Sequence, residues 1–168
     1  MKKLLVTFIL VCIGSISTYA TTVERLDLDD LVRKAGSIVV GKVSHSRTYW
    51  SADGKIILTS YTVEVEENLK GGTARSIELT TVGGKIGNVE LHVSGMPAFE
   101  RDERAVIFVE KSGVFKTVVG LGQGKFTVSN DEVSNNVEGL AFPDGSSARN
   151  LRMPLATFKR QIRSLVQQ

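Results

Sequence analysis

Leu28, Leu31 and Val32 place an apolar stripe on a short segment that opens at Asp27 and stops at Gly36. Asp27 is suited to accept the first-turn amide hydrogen bonds. Asp29 and Asp30 complement the positive end of a helix dipole, and Arg33 and Lys34 the negative end, so the pattern predicts a helix over residues 27–35. After Gly36 the spacing becomes strand-like. Residues 37–47 are apolar and β-branched, then polar, and Ser51-Ala52-Asp53-Gly54 is a hairpin turn because Asp-Gly accepts positive φ. A long strand follows over residues 55–69. Tyr61, Val63 and Val65 fall on one face and Thr62, Glu64 and Glu66 on the other, which predicts one buried and one solvated face.

Residues 76–82 form the next predicted strand, with Ile77 and Leu79 inward, and Gly83, Gly84 and Gly87 permit a turn or strand corner. Val89, Leu91 and Val93 then alternate with Glu90 and His92. Residues 94–103 read as a loop carrying Met96-Pro97-Ala98-Phe99. Residues 105–109 are continuously apolar, as in a strand buried on both faces. Ser112-Gly113 turns the chain into residues 114–121, and Phe126 and Val128 begin another strand that turns at Asn130-Asp131. Residues 134–149 are polar and turn-rich, with a surface turn at Pro143-Asp144-Gly145. Leu155, Phe158, Ile162 and Leu165 recur at helical spacing after Pro154, predicting an amphipathic final helix with Lys159, Arg160 and Arg163 on its solvated side. Short strands with glycine corners between two helices predict a mainly β fold: a small closed or partly open OB-like antiparallel barrel with a short N-terminal helix and a C-terminal amphipathic helix. A sandwich is the alternative arrangement of the same strands.

The N-terminal residues have a different character. Lys2 and Lys3 precede an apolar run over residues 4–16, and Thr18 and Ala20 supply the small residues of a cleavage site. The run is 13 residues long, whereas a spanning helix needs about 20, so residues 1–20 are expected to be a cleaved signal peptide rather than a membrane anchor. A lipoprotein reading at Cys12 is disfavoured by Val11, where a small residue belongs. Residues 21–168 are expected to form a single β-rich domain, exported to a periplasm or to the medium, with no stable membrane anchor after cleavage.

This division alters the charge balance. The formal charge is +3, but with Lys2 and Lys3 removed from the 21 basic residues, 19 face 18 acidic ones, a net of +1. Near-neutrality and few aromatics argue against a nucleic-acid partner. Cys12 is the only cysteine and lies in the signal, so the mature segment has no disulfide, thiolate nucleophile or cysteine metal site.

Candidate chemistry is sparse. His45 and His92 are the only histidines, and both read as exposed strand residues. Ser44 and Ser46 point away from the face that His45 occupies. No spacing of His, Asp or Glu resembles a zinc or calcium site, so no metal or cofactor is expected. Gly120-Leu121-Gly122-Gln123-Gly124-Lys125 is followed by strand rather than helix, so it reads as a bulge or corner and not a phosphate loop. Glu64, Glu66 and Glu67 read as a solvated strand face followed by a turn. Two segments stand out for partner binding: Tyr49 and Trp50 before the first hairpin turn, and Met96, Pro97 and Phe99 in the later loop. The structural alternatives are that Trp50 folds back as a lid and that the loop plugs a barrel end.

The strand Ile38-Val39-Val40-Gly41-Lys42-Val43 and the strand running from Tyr61 through Glu67 to Lys70-Gly71 carry a resemblance. Their layout resembles the first hairpin of OB-fold barrels of the netrin-module and tissue-inhibitor-of-metalloproteinases type. Residues 100–111 and 118–128 resemble the ending strands of small uncharacterised bacterial exported proteins with the same hairpin. The resemblance spans most of residues 35–128 and implies a barrel that presents loops to a partner protein. Those inhibitors place an N-terminal cysteine on a protease zinc. Here the expected mature terminus is Thr21, so that mechanism transfers to no residue. The function expected from the chain is a non-enzymatic exported binding or accessory module contacting another exported protein, a protease included, or an envelope component. A hydrolase using a carboxylate or histidine site, and a structural envelope protein, are the alternatives.

Overall fold

The computed structural model describes residues 21–145 and 150–168. The predicted signal segment, Cys12 included, and residues 146–149 lie outside the described residues. Strand β1 (Thr21–Thr22) leads into helix α1 (Leu28–Lys34). Asp27 caps that helix reciprocally: its Oδ1 accepts from the Asp30 amide at 2.8 Å, and the Asp30 carboxylate accepts from the Asp27 amide. At the other end Lys70 Nζ donates to the carbonyls of Val32 (2.6 Å) and Ala35 (2.7 Å), joining the helix to the sheet.

The hairpin of β2 (Ser37–Trp50) and β3 (Ile57–Lys70) is the longest ladder. Register shifts interrupt it near Ile38, Gly41 and Val43. At Gly41 a Cβ would lie 2.6 Å from both the Glu64 carbonyl oxygen and a Val63 methyl, so any side chain would push the strands apart there. Then come β4 (Ser76–Val82), β5 (Gly84–Ile86), β6 (Val89–Leu91), β7 (Arg104–Ser112) and β8 (Phe115–Val118). The segment predicted as a bulge or corner contains a 3-10 turn over Leu121–Gly124. The chain continues through β9 (Lys125–Ser129), β10 (Glu132–Asn135), β11 (Leu140–Ala141), β12 (Arg152–Pro154) and α2 (Leu155–Val166).

The main sheet has eight strands in the path β12-β10-β9-β7-β2-β3-β4, with β8 joined to β7. It is not closed, which corrects the closed-barrel alternative. The reason lies at β7. One edge pairs with β2, while the other is shared by β9 along Ala105–Ile107 and by β8 along Val109–Ser112. The sheet therefore forks. One branch ends at β8, which approaches β4 without forming a ladder. The other runs on to β12.

The fork explains the unbroken apolar run in β7. Val106 and Phe108 face a core of Ile38, Val40, Phe126, Phe158 and Ile162, closed by α1 and α2. Ala105, Ile107 and Val109 face a second core with Val39, Val63, Leu79, Phe99 and Val118. Two-sided burial favours apolar residues at consecutive positions. Glu67 on β3 ties α2 to the sheet by pairing with Lys159 Nζ at 2.5 Å and with Arg163.

Candidate functional site

The β2–β3 hairpin carries the first predicted binding segment to its tip. Ser51 N donates to Ile56 O at 2.8 Å, and the Ser51 hydroxyl donates to Asp53 Oδ1 at 2.6 Å while accepting from Ile56 N. The Ser51 hydroxyl and the Lys55 amide hold the Asp53 carboxyl below its ordinary range. Trp50 is 43% exposed and Ile56 42%, so two large apolar side chains emerge at this tip. Trp50 does not fold back as a buried lid. Tyr49, half-buried, has the Arg47 guanidinium 5.0 Å from its ring centroid.

The hairpin of β5 and β6 lies against the same end of β2 and β3. A Cβ on Gly84 would sit 2.5 Å from Thr59 Oγ1 and 2.7 Å from a Thr48 methyl, so only glycine permits this approach. The Thr48 and Thr59 hydroxyls are hydrogen-bonded at 3.2 Å, and Thr59 donates to Gly83 O at 2.7 Å. A small cleft of about 130 Å³ is bounded by Thr59, Gly84 and Leu91 on one side and by Met96 and Pro97 on the other. The structure thus sets Met96 and Pro97 beside Thr59, two residues along β3 from the Trp50–Ile57 pair at the tip.

It separates Phe99 from them. That ring is 7% exposed, packs 5.0 Å from the Tyr61 ring, and has Lys125 Nζ 4.6 Å from its centroid. Phe99 anchors the loop to the second core, Pro97 is buried, and Met96 is half-buried. A partner approaching this end meets Trp50 directly and Phe99 not at all.

Lys125 organises the loop from below. Its Nζ lies 2.7 Å from Glu103 Oε1 and donates to the Ala98 carbonyl at 2.5 Å, and Glu103 Oε1 also accepts from the Thr127 hydroxyl at 2.6 Å. Next to this pair is a cleft of about 460 Å³ whose lining includes His92, Ser94, Lys125 and Glu138. Asp102, beyond the loop, is held below its ordinary carboxyl range by the Lys42 hydrogen bond and charge.

Sequence reasoning missed Gln123. This side chain is buried in the glycine-rich turn, accepts from the Leu26 amide at 2.9 Å, and donates to the carbonyls of Glu24 (3.0 Å) and Gly120 (3.1 Å). The neighbouring glycines have a steric role: a Cβ at Gly122 would meet Asn136 O at 2.5 Å and one at Gly124 would meet Val119 O at 2.4 Å. One polar residue framed by glycines was the available signal.

His45 and His92 are exposed. Glu66 pairs with Arg104 at 2.7 Å and Glu67 with the final helix, so these carboxylates do not converge. Among the described residues no group of three or more His, Cys, Asp or Glu side chains is placed to hold a metal ion, and no helix is long and apolar enough to cross a membrane. No protein-family model, curated protein or solved structure matches this chain.

Proposed function

We propose that the protein is an exported, non-enzymatic binding module. Its partner is another exported protein, held at the sheet end formed by the β2–β3 tip, the β5–β6 hairpin and the Met96–Pro97 segment. The observation that carries this reading is the exposure of Trp50 beside Ile56 at a hydrogen-bonded hairpin tip. A tryptophan left in water at a preorganised tip gains apolar burial on docking, and such aromatic anchors dominate interface energetics. We further read strands β2, β3, β4, β7 and β8 as a partly open OB-like barrel. Support for this comes from the strand order β4-β3-β2-β7-β8 and from the proximity of β8 to β4. Export rests on the N-terminal pattern of the sequence.

Trp50 is the only tryptophan in the chain, so its emission reports on the tip directly. The test identifies proteins captured from the host envelope fraction, purifies the leading one, and titrates it against the protein and its Trp50→Ala variant. Burial should shift the emission to the blue. The variant should keep its melting temperature and bind about 30-fold more weakly, equivalent to ~2 kcal/mol. Unaltered affinity and emission would overturn the proposal.

A further inference from the structure

Strand β2 runs on beyond β7. Its Ser37–Lys42 part is flanked by β7 on one side and by β3 on the other. Val43 still bonds to the backbone of Asp102 and Glu103. From His45 to Trp50, however, β2 is paired with β3 alone, so among the described residues one of its edges is open. His45, Ser46, Arg47 and Trp50 are exposed along it. An open strand edge is a template for pairing with another strand.

The hairpin turn fixes which backbone groups face that edge. Ser51 N donates to Ile56 O, which makes Ser51 and Ile56 a hydrogen-bonded pair of the ladder. Such pairs alternate along antiparallel strands, so Tyr49–Leu58 and Arg47–Ser60 are hydrogen-bonded too. The amides and carbonyls of Ser46, Thr48 and Trp50 therefore point away from β3, toward the open edge. Among the described residues no backbone hydrogen bond takes them up.

We infer that this edge pairs antiparallel with the same edge of a second copy of the chain, about a two-fold axis at Thr48. In that register Thr48 meets Thr48, and Ser46 meets Trp50 in both directions. Every free amide of Ser46, Thr48 and Trp50 then finds a free carbonyl. Arg47 falls opposite Tyr49, on the same face and in a pair of the kind whose side chains come closest. The Arg47 guanidinium already lies 5.0 Å from the Tyr49 ring centroid of its own chain, and the second copy offers it another ring. No like charges are opposed. Moving the axis to Arg47 would set two arginines against each other, which selects the Thr48 register. The edge thus carries its own complement in both backbone groups and side chains, and a foreign strand would have to reproduce both. Ser46, small, stands opposite Trp50, so the ring stays at the surface and the dimer presents two of these anchors.

Sedimentation equilibrium of the protein measures the association, and hydrogen exchange at low and high concentration locates it. The interface is small, so a dissociation constant on the order of 100 µM is expected. At about 1 mM protein the amides of Ser46, Thr48 and Trp50 should exchange at least threefold more slowly than at about 1 µM. Those of Arg47 and Tyr49, already bonded to β3, should not change. Ser46→Pro removes a donor at an edge position that accepts proline, and should weaken association at least tenfold with the melting temperature kept. Tyr49→Lys sets like charges opposite each other in both halves of the dimer and should also weaken it at least tenfold; adding Arg47→Glu should restore it. A protein that stays monomeric up to about 1 mM would overturn the inference. So would a dimer in which those three amides gain no protection, or a double variant that associates no better than Tyr49→Lys alone. No second protein enters these measurements, so their outcome is independent of the partner proposed for Trp50.

Discussion

Replacing Phe108 with alanine tests the two-core architecture most directly. Phe108 is fully buried in β7, its ring centroid 5.7 Å from that of Phe126 and 6.2 Å from that of Phe158. The truncation removes a buried ring and leaves a cavity between a sheet pinned by three partners and a helix anchored through Glu67, so little collapse is available to fill it. Phe→Ala changes in such settings cost about 3–5 kcal/mol. Two lost aromatic pairs, each worth roughly 0.5–1.5 kcal/mol beyond area burial, place this site toward the upper end. A domain of ordinary stability has about 5–15 kcal/mol in total, so the variant should remain measurable only near the top of its native baseline. Phe108→Leu, which keeps most of the volume, should lose less and secure the comparison. Equilibrium urea unfolding followed by circular dichroism gives both values, with an unchanged denaturant slope as the check on two-state behaviour. A loss below about 1 kcal/mol for Phe108→Ala would refute the placement of β7 between two cores.

Two further outcomes follow from buried or half-buried polar groups. Burial pushes the Glu67 carboxyl up, but the Lys159 hydrogen bond and the charges of Lys159 and Arg163 outweigh it and hold the group below its ordinary range. A depressed folded-state pKa stabilises the protein above the unfolded pKa, and that contribution is lost as pH falls through the folded value. Glu67→Gln should therefore lower stability by about 0.5–1 kcal/mol at pH 7, with the gap to wild type closing below about pH 4. A gap that stays constant on acidification would contradict this. Gln123→Leu strands the Leu26 amide and the Glu24 carbonyl, while the Gly120 carbonyl keeps the backbone amide of residue 123, and should cost about 1–3 kcal/mol. Hydrogen exchange should show loss of protection at Leu26 before the sheet; unchanged exchange there would count against Gln123 as the tether of the N-terminal segment.

Much of the fold was legible where local chemistry sufficed. Asp27 through Lys34 read as a capped helix because every determinant lies within one or two turns. The alternation through Tyr61 and Val63, the apolar run of β7, and the turn at Asn130-Asp131, where both residues take positive φ, are likewise properties of short segments. The exposed Trp50 was legible as a candidate because it stands beside a turn. Phe99 reads both as a binding residue and as part of a loop that plugs a barrel end; the choice between the two depends on Tyr61, 38 positions earlier in the chain.

By itself, then, the sequence determined both helices, strands β2–β4 and β6–β9, the turns between them and their apolar faces, since periodicity and backbone preference act over a few residues; the short strands β5, β10, β11 and β12 carry no such local signal. Only the tertiary structure decided that β7 divides one edge between β8 and β9 and so leaves the sheet open. Only the tertiary structure took Phe99 inward and made Gln123 a hub for the N-terminal segment. These outcomes depend on which distant segments pair, and that choice is made by the shared burial of two cores rather than by any residue's neighbours in sequence.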